Sequence, residues 1–172
     1  MKISFGCGKH TWDGFYCIDA VPHPQASRKP DLIYAAEFDD QNLILQIPLE
    51  SECADEVHAY HLIEHVFAWE APALVKEWMR LLRPGGRLIL ELPDILLAAR
   101  NLLNGSRDQM SMWPLYGDWN HRDPYMMHKH GYTPATISAL LESCGLVNVN
   151  TMPPQTHGAK VKRDMRVEAI KP

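Results

Sequence analysis

The chain has no C-x-x-C pair, no apolar run long enough to cross a membrane and no excess of basic charge. Each absence narrows what it does. Its 172 residues carry four cysteines, Cys7, Cys17, Cys53 and Cys144. They are too scattered for a disulfide framework or a zinc knuckle, and read as the reduced thiols of a cytoplasmic protein. The richest apolar stretch, 88–103, is interrupted by Glu91, Pro93, Asp94 and Arg100, so nothing approaches the roughly 20 apolar residues of a membrane span. The opening "MKISFGCG" reads as a strand, because its apolar part is too short for a signal peptide. A net charge of −4 argues against a dedicated polyanion binder, though it leaves room for a local basic patch, and makes nucleic acid an unfavoured partner. There is no internal repeat and no low-complexity tract. With 46% hydrophobic residues, the chain reads as one globular domain over 1–172.

The stretch "SFGCGKHTWDG" near the start lacks the parts that would make it a familiar phosphate loop. A P-loop ending on Gly8-Lys9 needs glycine at position 3 and a hydroxyl at position 10; Ile3 and His10 stand there. The dinucleotide fingerprint G-x-G-x-x-G begins with Gly6 and Gly8 and fails at Thr11. What is left is a short strand running into a Gly-x-Gly turn, where no Cβ blocks a ligand from the backbone. Alone, such a turn is weak evidence.

Its neighbours add to it. "FYCID" reads as a second strand ending on Asp19, an acid placed to accept hydrogen bonds from a ribose diol. In dinucleotide folds that acid lies about 20 residues beyond the glycines; here it is much nearer, so the usual crossover helix is cut to a turn. One or both of 32–36 and 43–47 form strands, and "ADEVHAY" forms another. "APALVKEWMRLL" places Leu74, Val75, Trp78, Met79 and Leu82 on one helical stripe. Pro72 sits in its first turn, and 83–86 stops it. "RLILELP" is a buried strand. "YTPATISALLESCG" is a helix capped by Thr133, with Pro134 as its first residue, and two strands close the chain. Alternating strands and helices predict an α/β fold: a Rossmann-like, mostly parallel sheet with helices on both faces, an antiparallel last strand and reduced N-terminal helices. In such sheets ligands bind beyond the carboxyl ends of the strands. "GCG", Asp19, "AYH" and "LPD" all fall at such ends.

Five segments in order, "FGCGKH", "CIDAVP", "IPLESECADEVHAYHLIEHV", "EWMRLLRPGGRLILELPD" and "HKHGYTPATISALLESCGL", resemble the class I S-adenosylmethionine-dependent methyltransferases, in particular a compact subgroup. The resemblance covers nearly the whole chain. It implies S-adenosyl-L-methionine as cofactor. Phe5, Gly6, Cys7 and Gly8 would lie at its methionine part, Asp19 at the ribose hydroxyls and Ala20 near the adenine. Asp39, Asp40, Asn42 and Leu43 compete for the far side of the adenine, with Leu43 assigned. Tyr60, His61 and Leu62 would line the methyl side. The helix that usually covers the cofactor and the first crossover helix are missing, which leaves one flank of the sheet thin and predicts a homo-oligomer or a covering lid.

Three further features carry chemistry. "HLIEH" sets His61, Glu64 and His65 at helical spacing; carboxylate and imidazole suit a transition metal, but no metal is assigned. His128 and His130 are the candidate general bases, since histidine titrates in the useful range. Residues 95–131, rich in Trp, Tyr and Met with no clear period beyond Leu103, form an inserted lid or substrate segment. The tail "KVKRDMR" reads equally as a phosphate contact or as a solvated edge strand whose charges block pairing. Together these point to methyl transfer onto a small-molecule or glycan acceptor. RNA methylation and a cofactor-binding pseudoenzyme acting as a partner subunit are the alternatives.

Overall fold

The computed structural model describes residues 1–34, 37–39, 42–156 and 162–172; the side chains of 37–39, 42–44 and 121 lie outside this description. Leu43 and Asn42 therefore have only a backbone position, and Asp40 has none. Nine strands form: β1 (Lys2–Phe5), β2 (Phe15–Asp19), β3 (Leu32–Ile33), β4 (Glu37–Asp39), β5 (Asn42–Ile44), β6 (Ala54–Tyr60), β7 (Leu82–Pro93), β8 (Val147–Met152) and β9 (Asp164–Ile170). Four α-helices join them: α1 (Ala71–Leu81), α2 (Ile95–Leu103), α3 (Met112–Tyr116) and α4 (Pro134–Ser143). Seven strands build one sheet in the order β3-β2-β1-β6-β7-β9-β8, and β4-β5 is a separate hairpin. The first five of that order are parallel, while β9 runs antiparallel to both β7 and β8. The chain leaves β1 toward β2 on one side and returns to β6 on the other. The carboxyl end of β1 is thus the switch point where such sheets bind ligands.

Among the described residues no helix lies between β1 and β2 or between β2 and β3, as the short spacing predicts. Side chains do part of the missing work. Asp31 accepts the Cys17 N–H at 2.7 Å and an Arg28 N–H at 2.9 Å, and Arg28 also donates to the Phe15 carbonyl at 2.9 Å. The Cys17 N–H, then Arg28, hold the Asp31 carboxyl below the usual carboxylate range.

One face of the sheet carries the core. Ile3, Val57, Leu88, Leu90 and Val167 pack with Trp78 of α1, all of them fully buried, and α4 adds Ile137 and Leu141. The cap of α4 is the expected one: Thr133 accepts from the Thr136 N–H and Thr136 returns the bond.

The opposite face of the sheet is charged. Strand alternation puts charged residues there. Lys2 pairs with Glu56 at 3.0 Å, Arg87 also pairs with Glu56, and Arg166 bridges Glu91 at 3.0 Å and Glu168 at 2.7 Å. Large exposed apolar groups on the thin flank are Val21 and Ile33.

Two more elements differ from the sequence reading. The buried strand expected at 88–92 is the middle of the longer β7, which starts directly after α1; Gly85, at φ +75°, donates to the Lys171 carbonyl and Lys171 to Gly86. The tail read as an edge strand becomes β9, which lies inside the sheet with Arg163, Asp164 and Arg166 all buried. The edge on that side is β8. In 95–131, Asp94 caps α2 by accepting from the Leu96 N–H at 2.8 Å. Beyond it the chain makes α3 and three single turns of 3-10 helix, too short to show a period in sequence.

Candidate active site

The Gly-x-Gly turn follows β1 directly. Gly6 and Gly8 have φ of +61° and +52°, a region that costs a residue with a Cβ roughly 1–2 kcal/mol. The Gly6 N–H donates to the Ile18 carbonyl at 2.9 Å and the Gly8 N–H to Asp19 Oδ2 at 2.7 Å. The turn is therefore closed onto the end of β2 by the acid expected to bind ribose. Asp19 is half-buried and Ala20 exposed, so the carboxylate keeps lone pairs toward solvent. The flanking side chains turn away from this mouth. Phe5 is buried in the core with its ring 6.0 Å from that of Trp78, which leaves only its backbone at the turn. Cys7 is buried against the Ile18 carbonyl. Burial, then the neighbouring Cys17 and Asp19, push its thiol up to about 12, so it is no nucleophile.

The exit of β6 forms the other wall. Tyr60 points to the charged face, where its hydroxyl lies 2.6 Å from His58 Nδ1. With Trp12, Phe15, His58 and Thr156 it lines a cavity of about 260 Å³. His61 takes φ +51°, and its ring is held between two carboxylates, Nδ1 at 3.1 Å from Glu64 Oε1 and Nε2 at 3.1 Å from Asp164 Oδ2. Burial opposes its charge, but the bonds to Asp164 and Glu64 prevail and the imidazole pKa is raised. Asp164, despite burial, is held down to about 2 by His61 and Arg163. Leu62 packs over the glycine turn: a Cβ on Gly6 would sit 2.5 Å from Leu62 Cδ1. Of the three residues expected on the methyl side, Leu62 lies against the turn at Gly6.

The segment expected to carry the general base arrives here too. Lys129 and His130 donate their backbone N–H groups to the Glu64 carbonyl at 2.8 and 3.2 Å. His128 Nδ1 lies 2.9 Å from the Pro114 carbonyl, and its Nε2 faces Glu64 Oε1 at 4.0 Å. Its ring meets His65 edge-on, centroids 4.8 Å apart. The ring of His130 instead stands edge-on to Tyr132, centroids 4.7 Å apart. The metal-type spacing seen in "HLIEH" is thus rearranged. His61 bridges Glu64 and Asp164, and His128 joins Glu64 and His65, with ligand atoms of these last three within 4.8 Å of one another. Asp164 is the residue the sequence reading missed. Only the antiparallel return of β9, which brings its first residue to the carboxyl ends of its neighbours, places it here.

Residues 14–90 match the Methyltransferase domain family. That match spans β2 through most of β7, and the sheet order, the glycine turn and the acid of β2 complete it. In this matched stretch and in its fold the chain is similar to the class I S-adenosylmethionine-dependent methyltransferases. Solved structures share the fold at low identity. A SAM-dependent methyltransferase from Thermotoga maritima, described as a possible histamine N-methyltransferase, is 13% identical with a TM-score of 0.62, over 99% of this chain and 82% of that one. A SAM-dependent methyltransferase from Archaeoglobus fulgidus is 13% identical with a TM-score of 0.59, over 99% and 85%. Phosphoethanolamine N-methyltransferase 2 from Haemonchus contortus, in complex with phosphomonomethylethanolamine and S-adenosylhomocysteine, is 9% identical with a TM-score of 0.56, over 99% and 48%. Comparison with curated protein sequences finds no match.

Proposed function

We propose that this methyltransferase binds S-adenosyl-L-methionine across the carboxyl ends of β1, β2 and β6 and passes its methyl group to a hydroxyl of a small-molecule or glycan acceptor. The observation that carries the proposal is the Gly6–Gly8 turn closed onto Asp19 by the 2.7 Å bond from Gly8. Free lone pairs of that carboxylate accept the ribose hydroxyls, and the uncluttered turn admits the methionine part. Methyl transfer is an in-line displacement at the sulfonium. The protein contributes mainly position, and a hydroxyl acceptor must also lose its proton. His130, half-exposed where the 95–131 segment rejoins α4, suits that proton. His128, with a side chain only 9% exposed, is too deep to meet an acceptor directly.

The acceptor reading rests on the 95–131 segment. Tyr116, Trp119 and Tyr125 are exposed; such rings stack on apolar sugar faces while their polar tips stay hydrated. A net charge of −4 does not favour a long polyanion. The test is release of S-adenosylhomocysteine when the protein is given cofactor and a panel of monosaccharides, glycan fragments and small alcohols. Turnover with one class identifies the acceptor. Cofactor binding without turnover on any of them would favour the pseudoenzyme reading.

A further inference from the structure

The Glu64, His65 and His128 cluster carries an inference that does not depend on the acceptor. A carbonyl oxygen can only accept, so its imidazole neighbour must carry the proton on the nitrogen that faces it. His65 Nδ1 faces the Met127 carbonyl at 3.2 Å and His128 Nδ1 the Pro114 carbonyl at 2.9 Å. A neutral ring at either position is therefore the Nδ1–H tautomer, whose Nε2 bears a lone pair. His128 Nε2 lies 4.0 Å from Glu64 Oε1, too far to be donating to it. Glu64 is 2% exposed. Its Oε1 is satisfied by His61, while Oε2 is buried with no partner among the described residues. A buried carboxylate with one orphan oxygen thus stands beside two imidazoles whose Nε2 atoms are turned away from the carbonyls that hold them. Left so, the oxygen carries the full desolvation penalty of a buried, unpaired acceptor. A cation is what such a set lacks. Carbonyl bonds on the remote imidazole nitrogens are also the usual means of orienting metal-bound histidines.

We propose that Glu64, His65 Nε2 and His128 Nε2 hold a divalent transition metal of the zinc type. Two imidazoles and one carboxylate form a borderline donor set that suits zinc better than calcium or magnesium. One possible ligand atom from each of the three residues already lies within 4.8 Å of the others, and bonds of about 2.0–2.2 Å draw them together by rotamer-scale movement. Three protein ligands leave a position open. Leu62, two residues before Glu64, touches the glycine turn, so the open position lies on the side of the domain where cofactor and acceptor meet. There a bound acceptor oxygen would have its pKa lowered. The metal also pins "HKH" to the exit of β6.

The test is titration of the purified chain with Zn²⁺ against a chromophoric chelator, with Co²⁺ absorption as a second readout. One equivalent of Zn²⁺ is expected. His65→Gln and His128→Gln, checked for folding by circular dichroism, should each weaken it by about 10-fold or more, and His23→Gln should leave it unchanged. The Co²⁺ form should show d–d bands and no thiolate charge-transfer band. A wild-type chain that takes up no Zn²⁺, or a folded His65→Gln/His128→Gln double variant that binds it as tightly as wild type, overturns the site. S-adenosylhomocysteine binding, measured on the same samples, reports separately on the cofactor site.

Discussion

Gly6 and Leu62 stand face to face across the switch point of the sheet, so close that a Cβ on residue 6 would come within 2.5 Å of Leu62 Cδ1. The contact joins the cofactor turn to the β6 exit, where the His61, Glu64 and His128 groups gather. Gly6→Ala should lose about 1–2 kcal/mol of stability from its φ of +61° alone and should lose cofactor affinity. Adding Leu62→Ala removes the clash and not the backbone strain, so it should restore stability only in part. Melting curves of the single and double variants check this; a double variant as stable as Leu62→Ala alone would contradict it.

Glu56 lies between Lys2 and Arg87 on the charged face and also meets His58 at 2.9 Å. Burial alone would raise its pKa. The bonds from Arg87, His58 and Lys2 outweigh that and hold it down to about 2. A depressed acid stabilises the fold above its unfolded value, near 4.3, and the gain is lost as pH falls toward 2. Glu56→Gln should therefore cost roughly 2–3 kcal/mol at pH 7 and much less at pH 2.5. Urea unfolding at the two pH values measures the difference. An equal loss at both would remove ionisation as its source.

Much of this was legible in the sequence, because it depends on local pattern. Alternation and helical stripes locate β1, β2, β6, α1 and α4, and the Gly-x-Gly turn with Asp19 lies within one short stretch of chain. What could not be read depends on distant pairing. "KVKRDMR" looks like a solvated edge because its charges are visible and their partners, Glu91 from β7 and His61 from the β6 exit, are not. His128 meets Glu64 across a long separation set by the 95–131 excursion, and Phe5 turns inward only because Trp78 of α1 waits there.

The four thiols should divide by burial. Cys7 is buried, with its pKa pushed up to about 12, so almost no thiolate exists at pH 8. Cys53 and Cys144 are half-exposed. Alkylation of the native protein followed by mass spectrometry should label Cys53 and Cys144 well before Cys7. Prompt labelling of Cys7 would mean that the turn opens far more readily than its hydrogen bonds allow.

The 95–131 segment is anchored at one end and exposed at the other. Ser111 is fully buried and donates to the Ser106 carbonyl at 3.0 Å, and His128 holds the Pro114 carbonyl. Trp119 and Tyr125 lie open to solvent. Trp119→Ala and Tyr125→Ala should each change stability by less than about 0.5 kcal/mol and raise the KM for the acceptor. Amide exchange over 118–126 should be fast in the free protein and slow when cofactor and acceptor are both bound, as for a closing lid. Strong protection of these amides in the free protein would make the segment a fixed part of the fold.

Calorimetric titration of S-adenosylhomocysteine into the wild-type chain and into Asp19→Ala tests the central claim most directly. Asp19 links the glycine turn to the ribose site, and loss of a charged acceptor for two hydroxyls should cost about 1.5–3 kcal/mol, roughly 10- to 150-fold in affinity. Wild type should bind one equivalent and Asp19→Ala should bind more weakly by that factor. Equal affinity in the two proteins would contradict the account, because the cofactor would then lie somewhere other than the carboxyl ends of β1 and β2.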